Sequence, residues 1–388
     1  MITQTIALFV DAYRELNAKK LFWITMLLSG LVVLIYAAIG IDEEGVSILW
    51  FRIGFIPVTS EQIPPAMLYK SLFVNLGLGI WLTWIATVLA LISTAGIIPE
   101  MISGGSIEML LSKPISRTRL FLTKYATGLL FAGLQVAAFT TASFLVIGIR
   151  GGAWEPGLFL AIPLVVVFFS YLFGVCALVG VLTRSTIAAL LLTLLFWFMC
   201  FVLNFGDAIV MGIRVSNEAR VDAYTTSIET KRADTTKILT ARHTNQGDPL
   251  PAGYVATDED IIGLTPWASL VFEQRTKSEE MLDALRPWAR GVYMAKTVIP
   301  KTGETIGLLE RWLISMADLK TANQIDETHE APKIDKDTGE IEMEDSEVSL
   351  RAQEVIRSRP VWWVLGTSLL FEGVVLGIAA LVFRRRDH

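Results

Sequence analysis

Cysteine, histidine and charge are what this 388-residue chain has least of, and each scarcity closes off a class of protein. Its two cysteines, Cys176 and Cys200, both fall inside long apolar runs, so no disulfide framework organises the polar part of the chain. The three histidines, His243, His329 and His388, have no second ligand at helical spacing, and neither an H-E-x-x-H run nor paired cysteines occur, so no metal site is expected. No G-x-x-x-x-G-K-[ST] run is present, which leaves no backbone cradle for the phosphates of ATP. No nucleophile and base pair lies within the apolar runs, which argues against an intramembrane enzyme. Charged residues make up only 18% of the chain against 53% hydrophobic, more apolar surface than a water-soluble protein can hide.

The apolar residues come in runs of membrane length. About 20 such residues cross a hydrocarbon core about 30 Å thick, and the runs are Leu21 to Ile41, Val74 to Ile98, Leu120 to Ile149, Leu158 to Leu182, Ile187 to Gly212 and Val361 to Phe383. The expected fold is therefore an all-α polytopic membrane protein with six transmembrane helices and a mostly helical extracytoplasmic insert between the fifth and sixth. Arg14, Lys19 and Lys20 precede the first run, and Lys113, Arg117, Arg119 and Lys124 separate the second and third. Arg184 separates the fourth and fifth, and Arg384, Arg385 and Arg386 end the chain. Lysine and arginine accumulate on the cytosolic side, so both termini are expected there, in a multi-pass protein of the cell's inner (plasma) membrane. Residues 1–20 carry Ile6, Phe9, Val10, Tyr13 and Leu16 on one helical face, the pattern of an amphipathic helix lying in the inner interface.

Residues 213–360 are the expected extracytoplasmic domain. From Arg214 to Pro360 there are 26 acidic and 19 basic residues, so this segment is near −7 and the rest near +2, although the whole chain has a formal charge of −5. That acidic balance gives no reason to expect nucleic acid as a partner. Asn217 to Arg242, Pro266 to Lys296, Thr305 to Ala322 and Asp345 to Ser358 read as helices. The run Ile299-Pro300-Lys301-Thr302-Gly303-Glu304 looks like a sortase cleavage motif, but its distance from the last apolar run favours a turn between two helices. The acidic stretch from Asp335 to Asp345 misses the calcium-loop pattern and reads instead as a hairpin turning at Asp337-Thr338-Gly339. Sparse apolar positions suggest that the domain packs on a twin, on the first outer loop or on an extracytoplasmic partner protein.

The insert at 99–119, between the second and third runs, holds the most specific signal. Gly104 and Gly105 break any helix continuing from the second run, Ser106 can cap a short new helix over Ile107 to Leu111, and Pro114 stops it. Glu108 then lies near the start of that stub and Lys113 and Arg117 at its end, as the helix dipole favours. The run from Ile107 to Arg117, Ile-Glu-Met-Leu-Leu-Ser-Lys-Pro-Ile-Ser-Arg, followed by Lys124, resembles the cytosolic loop of ABC-2 type transporter permeases, in particular the copper-site maturation permease-like branch. The ending Phe383-Arg384-Arg385-Arg386-Asp387 is a second point of likeness. Where many members carry Glu-Arg-Glu ahead of the glycine, this chain has Pro99-Glu100-Met101-Ile102-Ser103, so only Glu100 and Glu108 carry over as the acidic pair. Ile102 to Ser106 also looks like the signature loop of an ATPase, but without a phosphate cradle it cannot serve as one.

The resemblance implies a coupling helix in this loop, seated in a groove of a separate ABC ATPase subunit that holds ATP and magnesium, with no cofactor in this chain. It also implies a second contact at Thr183-Arg184-Ser185 and a working unit of two permeases, as a homodimer or an unlike pair, with two ATPases. The coupling residues are expected to be Glu100, Ser103, Gly104, Gly105, Glu108, Lys113, Pro114, Arg117 and Arg184. Within the spans, Glu372 must face protein or water, because a mid-span carboxylate costs about 2.5–3.5 kcal/mol on the insertion scale. It reads either as a polar group on a transport path or as a structural hydrogen bond to Gln135 or Asn204, helped by the close approach that Gly373 and Gly377 permit. Asp207, nearer the outer end of its run, reads as a solvated or capping carboxylate. The competing reading of the whole is a membrane-anchored receptor or scaffold that acts through its extracytoplasmic domain and binds no ATPase.

Overall fold

The computed structural model describes residues 20–43, 45–49, 51–52, 60, 64–103, 116–316, 334–343 and 345–385. It is mostly helical, and six of its helical stretches are long and apolar enough to cross a membrane: 20–38, 65–102, 117–151, 156–183, 186–246 and 362–385. The proposed interfacial helix over 1–20 lies outside the described residues apart from Lys20, as do Gly104, Gly105, Glu108, Lys113 and Pro114.

The elements follow in order. Helix α1 (Lys20–Ala38) leads into a three-stranded antiparallel sheet of β1 (Ile39–Asp42), β2 (Gly45–Ile48) and β3 (Phe51–Arg52). The second span is α2 (Pro65–Leu72), a π-helical segment (Phe73–Ala86) and α3 (Thr87–Thr94), followed after a tight turn by the short α4 (Ile97–Ser103). Helix α5 (Arg117–Gly151) is the third span, a 3-10 turn (Pro156–Leu160) with α6 (Ala161–Thr183) the fourth, and α7 (Thr186–Gln246) begins as the fifth. The polar segment adds α8 (Asp258–Leu264), α9 (Ala268–Val298), α10 (Thr302–Leu313) and α11 (Asp345–Ser358), and a π turn (Trp362–Gly366) opens α12 (Thr367–Arg385), the sixth span. The apolar run read as a span to Ile41 leaves the helix at Ala38 and ends in the strand β1.

Two compact units emerge. The first contains the chain up to Asn204, Lys296–Ala322 and Arg359–His388. Its core is rich in phenylalanine: Phe73, Phe121, Phe131, Phe139, Phe168, Phe169, Phe173 and Phe383 are all fully buried. Helices in lipid gain nothing from hiding apolar surface against one another, so packing and interhelical hydrogen bonds must hold them. Trp81 Nε1 donates to Ser29 Oγ at 3.1 Å, the Tyr36 hydroxyl donates to Ser143 Oγ, and the Tyr125 and Phe173 rings stack at 5.2 Å. Helix α12 shows the resulting division of faces: Ser368, Glu372, Val375, Ala379 and Phe383 turn inward at three- and four-residue spacing. Leu370, Val374, Ile378 and Leu381 stay exposed, as a lipid-facing side requires. The amphipathic α10, in the segment assigned above to the outer domain, packs in this first unit and buries Ile306, Leu308, Leu309 and Leu313 in the same core.

The second unit contains Phe205–Ala295 and Asn323–Ser358. Its small core joins Tyr224 and Ile228 of α7, Val271 of α9, and Ile341. The acidic stretch turns as a hairpin here: Ile334 and Ile341 form an antiparallel bridge, and Gly339 takes the left-handed conformation (φ 71°) that a tight turn asks of glycine. Arg351 of α11 pairs with Asp222 of α7 at 2.9 Å. Helix α7 has 61 residues, of which those from Phe205 onward belong to this second unit. No proline or glycine interrupts Ile213-Arg214-Val215-Ser216, where the apolar run ends, so the helix continues past the point where hydropathy falls.

Candidate functional site

One end of the first unit gathers the residues expected to couple to a partner. Helix α4 packs against α5 and α6, with the Pro99 ring close against Gly180, where any added Cβ would meet the ring at 3.0–3.2 Å. Glu100, one residue on, is exposed. Three residues beyond Gly180, α6 ends: Arg184 adopts the left-handed conformation (φ 55°) and its N–H donates to Gly180 O at 2.9 Å. Ser185 then caps α7 by accepting from Ala188 N at 3.3 Å. Helix α5 opens at the same end with Ser116 as its cap, accepting from Arg119 N at 3.3 Å. The closing turn of α12 joins them, Phe383 lying 5.7 Å from Phe121, ring centre to ring centre. Glu100, Arg117, Arg184, Arg384 and Arg385 thus belong to one end of the bundle. Arg117 is the first residue of α5, where the helix dipole works against a cation, while the stub helix expected before it lies outside the described residues. Ser103 closes α4.

The intramembrane carboxylate is enclosed by protein. Glu372 accepts from the Tyr125 hydroxyl on Oε1 and from the Ser170 hydroxyl on Oε2, both at 2.8 Å, which ties α12 to α5 and α6. Neither expected partner is used. Gln135 is buried, and its Nε2 has no partner among the described residues, while Asn204 Nδ2 donates to Thr302 Oγ1 at 3.2 Å. Nothing approaches the Cβ positions of Gly373 and Gly377, and the glycine beside the carboxylate is Gly174 on α6, 3.7 Å from Glu372 Cγ at its Cβ position. Each hydroxyl also lies close to a carbonyl: Tyr125 to Ser170 O at 2.9 Å and Ser170 to Val167 O at 2.7 Å. Asp207 is half-buried in the interior of α7, which runs on to Gln246.

A second charged cluster was not foreseen. The two nitrogens Lys296 Nζ and Arg359 Nη1 converge on Glu304 Oε1, the latter at 2.8 Å, while Glu304 Oε2 has no partner among the described residues. These side chains are 4%, 17% and 11% exposed, so the charges sit largely out of water. Beside them Lys301 Nζ reaches Thr367 Oγ1 and the carbonyls of Thr297 and Ile299, and lies 4.5 Å from the centre of the Trp363 ring. Lys301 lies between α9 and α10, outside the six spans. Burial pushes its ammonium down to about 8, the Glu304 carboxylate pulls it back up, and the Lys296 ammonium pushes it down again. Lys296, Arg359 and Lys301 thus gather around Glu304. Two helices meet here as expected, but the connection is Ile299-Pro300-Lys301, since Thr302 and Gly303 already belong to α10, and its lysine is buried. No local signal announced this burial, for Val298, three residues earlier, is 71% exposed and the partners of Lys301 on α12 are distant in sequence.

Among the described residues no group of three or more His, Cys, Asp or Glu is placed to hold a metal ion. Comparison of the chain with protein-family models, with curated proteins and with solved structures found no match to any of them.

Proposed function

We propose that this chain is a membrane-spanning permease subunit of an ABC-2 type transporter. It moves a substrate with ATP hydrolysed by a separate ATPase subunit and works as a pair of permease chains. The observation that carries the reading is the convergence of α4, the start of α5 and the Arg184 turn at one basic end of the bundle. A multi-pass protein with such an end can receive force there. The insert over 104–115 connects α4 to α5, so a partner that displaces it moves α5 directly and reaches α6 through the contact of Pro99 with Gly180. The hydrogen bonds of Tyr125 and Ser170 to Glu372 then carry the displacement to α12. ATP and magnesium belong to the partner in this scheme.

The test is purification of the full chain from its native membrane in mild detergent, with identification of co-purifying proteins and an ATPase assay on the complex. The expected result is an ATPase subunit that is retained by the unsubstituted chain and lost with Glu108→Arg while membrane insertion is unchanged. Recovery of extracytoplasmic proteins without any ATPase overturns the reading in favour of a receptor or scaffold acting through the polar segment.

A further inference from the structure

The sheet after the first span is sorted along its length by polarity. Pairing Ile39 with Ile48 and Asp42 with Gly45 places an apolar end beside α1 and an acidic end, Asp42 and Glu43, about 10 Å away along the strands. The turn after β2 is held against the span itself, because Leu49 N donates to Ala38 O, the last residue of α1, at 2.7 Å. At that end Ile48, Leu49 and Phe51 are 43%, 58% and 77% exposed. Leu49 also holds a left-handed backbone conformation (φ 57°) that is unfavourable for leucine, and such outliers persist where the surroundings fix them.

The exposed apolar surface continues downward. Leu34 and Ile35, one turn before Ala38, are 67% and 51% exposed on α1, so the lipid-facing side of the span leads directly into the apolar end of the sheet. The surrounding groups suit the same depth. Tyr69 donates to Ile39 O at 2.6 Å, and Arg150 Nε donates to the Tyr69 hydroxyl at 3.1 Å. Trp154, just past α5, is 57% exposed. Tyrosine, tryptophan and arginine at the end of membrane helices are the composition of the headgroup layer. A water-facing hairpin would have no reason to keep its acidic residues at the far end and its aromatic at the helix end, and Arg52, the residue after Phe51, is of the type that headgroups accommodate.

We propose that the apolar end of this sheet, Ile48, Leu49 and Phe51, is a membrane anchor seated at the boundary between lipid headgroups and acyl chains. The occupant is the bilayer, because the surface is continuous with the lipid-facing side of α1. The anchor fixes the depth and rotation of the first span at this end, independently of whether the chain is a transporter.

The experiment places a nitroxide label at Phe51→Cys in the full chain, reconstituted into phosphatidylcholine and phosphatidylglycerol vesicles. Leu34→Cys is the lipid reference, Glu43→Cys the water reference, and the unsubstituted chain gives the background from its two buried cysteines. All three positions are exposed, so labelling leaves the core intact. Collision with oxygen relative to a water-soluble nickel chelate is expected to be several-fold higher at position 51 than at 43, approaching the value at 34. A value at 51 equal to that at 43 overturns the proposal by placing the tip in water. Shielding of position 51 from both reagents also overturns it, since a second copy of the chain or another protein would then cover the tip.

Discussion

Replacing Glu304 with leucine removes a carboxylate on which Lys296 and Arg359 meet, and leaves Lys301 beside them. The side chains of Lys296 and Arg359 are 4% and 17% exposed, so water cannot take over. Breaking a buried ion pair from one side costs about 3–5 kcal/mol, because a charge is left without its partner. Unfolding entropy near 2.1 cal/mol/K per residue gives about 0.8 kcal/mol/K for 388 residues, so the expected loss is about 4–6 °C in melting midpoint. The assay is a thermal melt in mild detergent followed by tryptophan fluorescence, to which Trp363, 4.5 Å from Lys301 Nζ, contributes. Replacing Lys296→Met, Glu304→Leu and Arg359→Met together removes the two cations that meet on Glu304 along with it, leaving Lys301, and should recover most of the loss, since apolar groups of similar size often match a buried ionic cluster. A Glu304→Leu chain that melts with the unsubstituted protein, or a triple variant that falls by more than the single one, refutes the reasoning.

The other buried carboxylate should behave in the opposite way. Glu372→Leu is expected to change stability by less than about 1 kcal/mol in the same melt, because Tyr125 and Ser170 each keep a carbonyl at 2.9 and 2.7 Å and neither donor is orphaned; a loss above about 3 kcal/mol would contradict this. Stability should rise between about pH 8 and 10.5, where the unfolded chain still holds the Lys301 proton that the folded chain has released. The full difference is about 3 kcal/mol, and the rise should be absent from Lys301→Met when the two pH profiles are subtracted. Gly128→Ala presses a methyl group into the Phe173 ring, which stacks on Tyr125 and Phe169, and should cost about 1–3 kcal/mol, whereas Gly96→Ala meets only the exposed and movable Glu100 carboxylate and should be nearly neutral in the same assay.

The spans were legible because length and hydropathy have no competing explanation when a run of 20 residues carries almost no charge. The parts that escaped are those where hydropathy is ambiguous or range is long. The run from Leu21 to Ile41 absorbed the start of β1, since an apolar residue at a helix end and one in a strand look alike in a window. Helix α10 has 12 residues, too few to be read as a span, and its apolar face gave no sign of whether it packs in a polar domain or in the membrane unit. The hairpin at Asp337-Thr338-Gly339 was legible because turn chemistry is local. The partners of Glu372 lie 247 and 202 residues away along the chain, and no spacing rule reaches that far.

The two carboxylates differ in visibility and in consequence, and the reason is the number of alternatives open to their donors. Glu372 is conspicuous because it interrupts an apolar run, whereas Glu304 is one of 26 acidic residues in a polar segment. Sequence position therefore ranks Glu372 first. Donor accounting reverses the order: the hydroxyls on Glu372 are neutral and have carbonyls within reach, while the groups on Glu304 are cations in a largely dry setting. A neutral donor that loses its partner can turn to another, but a buried ammonium needs a compensating charge. The carboxylate most exposed to notice is thus the more replaceable for folding, so any role for Glu372 beyond folding is to be tested by activity rather than by stability.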